Sequence, residues 1–329
     1  MIQGSDASAW RTCLRGKRLP TPMKLLIALK WRQKATRSGS TQDQTLSIYF
    51  ECSCLDDGFV LSDQNIFRMP SPEPVIVNVR REFARRAVPW VCRRVRHTID
   101  RSGMNPRDIS EKVDDGIMGE IGSIAVMQVL EDVGRTVVAY DDVRTDYETE
   151  DPGWDLATGG EDLSRWSDAP DDPRTPPASE NTLSVKSSRI PKNDAGIHEA
   201  IERRDFKILK RSDSLESDLE ADFTIQVYYP RERSAYDPSL SVNSDDVEVV
   251  GDPSINPGDV RDRIDAILDG LEVMRRYGSC HLAGYARRED IVEYSRNLPL
   301  GERTWPSWHQ GYRKDMWVAP LDELGKSFA

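Results

Sequence analysis

The chain has 329 residues, 38% hydrophobic and 31% charged, with a formal net charge of −11. That is enough for one large domain or two ordinary ones, and no apolar run approaches the ~20 residues of a membrane-crossing helix. No G-x-x-x-x-G-K-[ST] phosphate loop occurs, which argues against a nucleotide-driven motor. The five scattered cysteines (Cys13, Cys52, Cys54, Cys92, Cys280) point to reduced thiols in a cytoplasm rather than to disulfides or a zinc site.

Residues 1–68 differ from the rest. They hold ten Lys/Arg against six Asp/Glu, are rich in Ser, Thr and Gln, and are poorly periodic. They read as a poorly ordered basic extension: either a start assigned too early, with the working chain beginning at Met69, or an arm that touches nucleic acid. The apolar stretch "MKLLIALKW" (23–31) is too short for a span and lacks a clear cleavage site, so no signal peptide is read. Residues 69–329 hold 35 basic against 50 acidic residues, and only seven of the 35 are lysine. High acid and low lysine resemble the composition of proteins from salt-loving (halophilic) organisms. Concentrated salt screens charge within a few ångströms, so an acidic balance does not exclude a nucleic-acid partner.

Residues 74–100 read as helical with an interruption at Pro89. The arginines at 80, 81, 85, 86, 93, 94 and 96 recur on its polar side. They form either a solvated face or a phosphate-contacting stripe, in which Arg80, Arg81, Arg85 and Arg93 would hold DNA. Residues 108–134 predict a strong amphipathic helix ending at Gly134 as its C-terminal cap. Glu120 borders the buried stripe of that helix, with Gly119 and Gly122 permitting close backbone approach. Residues 135–143 read as a strand, and "DPGWDLATGG" (151–160) as turn, short strand and turn. Residues 161–181 are acidic and proline-rich and read as an exposed loop. The strand 182–188, "TLSVKSS", follows; then a helix over 194–211 with Asp194 as N-cap, a strand over 222–230, and a second acidic loop over 231–257. A helix over 257–278, a strand over 279–286 and a short helix over 288–297 complete the order. Strands and helices mix in one α/β domain over 69–329.

The strand "LSVKSS" alternates Leu183 and Val185 with Ser184, Lys186 and Ser188. A lysine in a buried strand is costly unless paired or used. Asp155 follows the Pro-Gly turn on the preceding strand, and Glu120 projects from the helix before both. These two acids and Lys186 can converge: carboxylate oxygens suit Mg²⁺, and a lysine beside it can orient a water or stabilise a phosphate transition state. Each residue also admits an ordinary role: a turn cap for Asp155, an arginine partner for Glu120, a strand-edge position for Lys186.

The layout resembles the PD-(D/E)xK nuclease superfamily, which includes most type II restriction endonucleases. "DPGWDLATG" looks like its first acidic motif with Asp155 as metal ligand. "LSVKSS" looks like its second motif with Lys186, and Glu120 resembles the helix glutamate ahead of them. The resemblance covers about residues 108–230. The family's usual acid two before the lysine is Ser184 here, which is similar to a Ser-x-Lys subgroup in which a glutamate from the next helix takes over. Glu199, thirteen after Lys186, fits that place better than Glu202 or Glu180. The resemblance implies a restriction-endonuclease-like core with a mixed central sheet flanked by helices. It also implies an Mg²⁺- or Mn²⁺-dependent DNA endonuclease with Asp155, Glu120 and Glu199 on the metal and Lys186 on the water, in a role of defence against foreign DNA. Ser188 and Arg189 would touch phosphate. Cutting both strands usually takes two sites, so a homodimer is expected. The rival reading is a nuclease-like fold without catalysis that binds DNA or acts as a scaffold; a third is an α/β protein whose motif matches are chance.

Overall fold

The structure, a computed structural model, describes residues 72–98, 106–149, 151–178, 180–208, 219–235, 237–299 and 317–328. The basic extension 1–68, with Cys13, Cys52 and Cys54, lies outside them. Six strands form one mixed sheet: β1 (Val75–Asn78), β2 (Thr136–Ala139), β3 (Leu156–Gly159), β4 (Asn181–Arg189), β5 (Phe223–Tyr229) and β6 (Ser279–Arg287), in the order β1-β6-β5-β4-β3-β2. Neighbours run antiparallel except β4 and β5, which are parallel and joined through α5 (Ile197–Arg203).

One face of the sheet is covered by α1 (Arg81–Val95) and α2 (Ile109–Asp132). Ile117, Ile121 and Ile124 of α2 meet Leu183 and Val185 of β4 in the larger core. Asp108 caps α2 by accepting from the Glu111 N–H at 2.8 Å. At the other end Gly134 takes φ +79°, the Gly134 N–H reaches Glu131 O and the Arg135 N–H reaches Leu130 O. That is a Schellman motif, and it stops the helix at the predicted glycine. An added Cβ on Gly122 would lie 2.0 Å from Ser187 Oγ, so the glycine lets α2 settle against β4.

The elements α3 (Tyr140–Val143), α4 (Glu161–Asp168), α6 (Arg231–Ser234), α7 (Ser244–Val250), α8 (Arg261–Gly270), α9 (Val273–Tyr277), α10 (Arg288–Asn297) and α11 (Leu321–Leu324) fill the connections. The opposite face of the sheet packs Tyr228, Ala283 and Ala286 against α5, α10 and the C-terminal segment, with Trp317 fully buried. A smaller cluster under β2 and β3 holds Tyr140, Trp154, Ala157 and Leu163.

Several expectations change. The segment 74–100 is not helical throughout: Val75–Asn78 pair with β6 as an edge strand, and the helix that follows runs through Pro89, which is buried within it. The acidic stretch 161–181 opens with α4, because Leu163 is buried and Trp166 packs near Trp154. The acidic stretch 231–257 contains α6 and α7. The segment 257–278 is two helices, broken where Glu272 takes φ +48°. Asp194 does not cap α5; its buried carboxylate grips Arg204 at 2.7 and 2.8 Å. Cys92 and Cys280 are free, and burial pushes both thiols up to about 12.

The interior also holds charge. Asp114 of α2 is fully buried and receives Arg276 at 2.6 and 3.0 Å and Tyr277 Oη at 2.9 Å, with Arg189 Nη2 at 3.3 Å. This network ties α2, β4 and α9 together. Asp114→Ala leaves Arg276 buried without its counter-charge and is expected to lower unfolding free energy by about 3–5 kcal/mol in urea titrations. Arg81→Ala removes a partly exposed pair with Asp265 and should cost about 1 kcal/mol or less. Equal, small losses from both would contradict the assigned role of Asp114.

Candidate active site

Asp155 sits at the start of β3, placed by the turn at Pro152-Gly153, where Gly153 takes φ +85°. Its backbone ties three strands beyond the formal ladder: the Asp155 N–H reaches Leu183 O at 2.8 Å and its carbonyl accepts from the Tyr140 N–H at 3.0 Å. Its carboxylate turns into β4. Oδ2 accepts the Val185 N–H at 2.6 Å and the Ser184 hydroxyl at 3.3 Å. Asp155 is therefore fastened to the residues immediately before Lys186. Ser184 and Lys186 share one face of β4 by strand alternation.

Lys186 is half-buried, and its ammonium makes no hydrogen bond or ion pair among the described residues. Its backbone is fixed by Gln226, the fully buried neighbour on β5, whose Nε2 donates to Lys186 O at 2.9 Å. Gln226 also accepts the Lys207 N–H at 3.0 Å, and it sits at a register shift between β5 and β6. A buried amide filling an irregular spot in the sheet is a plain way to hold the lysine's strand in place.

Glu120 lies on α2, is buried and accepts a hydrogen bond from Arg94. Arg94 also reaches Asp141 at 3.3 Å, so one guanidinium serves two carboxylates. Burial raises the Glu120 carboxyl from 4.5 to about 7; Arg94 opposes the rise, while Asp141 and then Asp155 add to it. Glu120 thus feels the charge of Asp155 and holds its proton against both acids. The roles of Arg94 and Asp141 were not readable from spacing: Arg94 is one of seven recurring arginines, and its partner Asp141 lies 47 residues away.

The other expected site residues lie elsewhere. Glu199 bends back on its own helix: Oε2 accepts the Ala195 N–H at 2.6 Å and Oε1 accepts Arg203 at 2.7 Å. Those two bonds hold its carboxyl below the usual range, so it acts as a cap rather than facing Asp155. Glu180 accepts the Gly160 N–H at 3.3 Å. Arg81 and Arg85 converge on Asp265 of α8, and Arg81 also meets Asp269 at 2.9 Å. Arg80 is exposed, 3.6 Å from Glu82 and stacked over Phe83, and Arg93 is half-buried on the same helix. Arg189 is bound into the Asp114 network, and Ser188 beside it is only 2% exposed. The arginine stripe is therefore in large part structural, pinning α1 to α8 and to the β2–α3 region.

Among the described residues no three His, Cys, Asp or Glu side chains form a ready metal cluster, and no helix is long and apolar enough to cross a membrane. No family model, curated protein or solved structure matches the chain.

The Glu120 carboxyl has a pH signature. In the unfolded chain it titrates near 4.5, so between 4.5 and about 7 the folded protein keeps a proton that the unfolded chain has released. Its stabilising contribution is complete below pH 4.5 and is lost as pH rises through 7. Relative to Glu120→Gln, the wild type should lose on the order of 1–3 kcal/mol between pH 4 and pH 8 in denaturant titrations. A gap between the two proteins that does not change with pH would contradict this environment.

Proposed function

We propose that the chain is a metal-dependent DNA endonuclease with a restriction-endonuclease-like core of the PD-(D/E)xK type, in its Ser-x-Lys form. The observation that supports this best is the attachment of Asp155 to the Ser184-x-Lys186 strand through Val185 N and Ser184 Oγ. An acid just before one strand, a lysine on the next and a buried helix glutamate within electrostatic reach of that acid are three of the four residues the motifs implied, Glu199 being the fourth.

Asp155 and Glu120 are the side chains that would hold a divalent cation, Mg²⁺ or Mn²⁺. Two carboxylates suit a hard ion that keeps several waters and takes phosphate oxygens at its remaining positions. Asp155 Oδ1 makes no hydrogen bond among the described residues and leaves an oxygen for that purpose. The chemistry such a cation supplies is charge neutralisation at the phosphodiester and a more acidic water. Lys186 lies on the Ser184 face of β4, next along from the hydroxyl that bonds Asp155, and in this reading its ammonium orients the attacking water or offsets charge that develops on phosphate. Ser184 does not replace the missing acid; its hydroxyl donates to Asp155 and keeps that carboxylate aimed. Glu199, committed to its helix terminus, stays outside the ligand set. Cleavage of both strands would take two copies of the chain, and defence against foreign DNA is the role the resemblance suggests.

Plasmid and phage DNA incubated with the protein and Mg²⁺ or Mn²⁺, in low and high salt, should be cut, and EDTA should stop it. Asp155→Ala and Lys186→Ala should each lower the rate by on the order of 100-fold or more while the protein stays folded. Glu199→Ala should stay within several-fold of wild type. Full activity in both Asp155→Ala and Lys186→Ala would rule this site out. A folded wild type that cuts no DNA would favour the rival reading of a DNA-binding or scaffold protein.

A further inference from the structure

Two residues beyond Lys186, β4 runs into a cavity of about 480 Å³ lined by Ser188, Arg189, Lys207 and Arg231, with Met118 and Pro191 completing the wall. Among the described residues no acidic side chain lines it. Ser188 is 2% exposed, and its Oγ is buried without a hydrogen-bond partner among the described residues. A hydroxyl in that state is costly, and native proteins almost always satisfy such groups. The orphan therefore marks a place where an acceptor or donor from outside the chain belongs.

The cations around it differ in kind. Arg189 is held rigid by Asp114, Tyr277 and Ser234 O, so it gives a fixed wall with much of its charge balanced. Lys207 is half-buried, and its backbone is anchored to Gln226, the residue that also fixes Lys186. Arg231 opens α6 and is exposed, and its guanidinium makes no hydrogen bond or ion pair among the described residues. A buried hydroxyl donor with a lysine and an arginine suits a tetrahedral oxyanion that accepts several hydrogen bonds at once.

We infer that this cavity is a phosphate-group site. Ser188 and Lys186 lie on one face of β4, two residues or about 6.6 Å apart. That separation is similar to the one between neighbouring phosphates of a nucleic-acid strand. A strand whose scissile phosphate lies at Lys186 therefore places the next phosphate at Ser188, Lys207 and Arg231. The anion site stands on the cavity and its orphan hydroxyl; its assignment to a nucleic-acid phosphodiester rests on the nuclease reading above.

The test is binding of a fluorescent DNA duplex, in EDTA, by anisotropy over a range of salt concentrations. The Lys207→Ala/Arg231→Ala double variant should bind at least tenfold more weakly, with a salt slope reduced by close to two. Asp155→Ala should bind at least as well as wild type. Ser188→Ala should raise the thermal midpoint of the free protein while weakening binding severalfold, a combination that a merely structural serine would not produce. A double variant that binds like wild type with an unchanged salt slope would overturn the proposal. If wild type binds no duplex, the nuclease reading fails by itself, and inorganic phosphate becomes the probe. A saturable rise in thermal midpoint with phosphate, lost in the double variant, would then support an anion site for a free phosphate group. No rise in wild type would overturn that as well.

Discussion

The site depends on the grip of Asp155 on β4. A carboxylate oxygen 2.6 Å from the Val185 N–H does two things at once. It satisfies a backbone donor where the short strand β3 begins and the longer β4 continues past it, and it fixes an acid beside Ser184-x-Lys186. Without that bond the turn at Pro152-Gly153 would still bring the chain back toward β4, but nothing would aim the carboxylate. The rest of the sheet protects this junction. Gly122 lets α2 lie close on β4, and Gln226 holds the Lys186 backbone from the β5 side.

Charge in this chain is spent largely on itself. The arginines of α1 reach Asp265 and Asp269 on α8, Asp142 on α3, and Glu120 on α2. Asp114 gathers Arg276 and Arg189 in the interior. Among the described residues many arginines are committed this way, so the exposed Arg231 guanidinium at the end of β4, which makes no hydrogen bond or ion pair among them, stands out. Any attraction for nucleic acid is then local, confined to a small number of contacts rather than spread over a basic surface.

Much of this was legible in the chain, for definable reasons. The extent of helix α2 was, because its apolar residues run long and Gly134 supplies the left-handed cap; its expected one-sided stripe was not, since residues 120–127 are all buried between α1 and the sheet. Strand β5 was, because FTIQVYY is rich in β-branched and aromatic residues, and β4 was, because Leu183 and Val185 alternate with polar residues. The Asp155 and Lys186 motifs could be placed on neighbouring strands for the same reason. What was not legible depends on distant partners. Val75–Asn78 become a strand only because β6, some 200 residues on, offers an edge. The helix α4 forms in an acidic, proline-rich stretch because Leu163 and Trp166 find the Trp154 cluster. Arg81 and Arg85 looked like a DNA-facing stripe because their partner Asp265 lies 184 and 180 residues away. Glu199 had the right spacing for a ligand, but a local cap to the Ala195 N–H and Arg203 competes for its oxygens.

The most direct test of the central claim is anomalous diffraction from a crystal of the protein soaked in Mn²⁺, with an Asp155→Ala crystal treated alike. A wild-type peak bonded to Asp155 and near Glu120, absent from the variant, is the predicted result. No peak at Asp155, or one that persists unchanged in Asp155→Ala, would show that these acids do not form a metal site and would remove the basis for a nuclease.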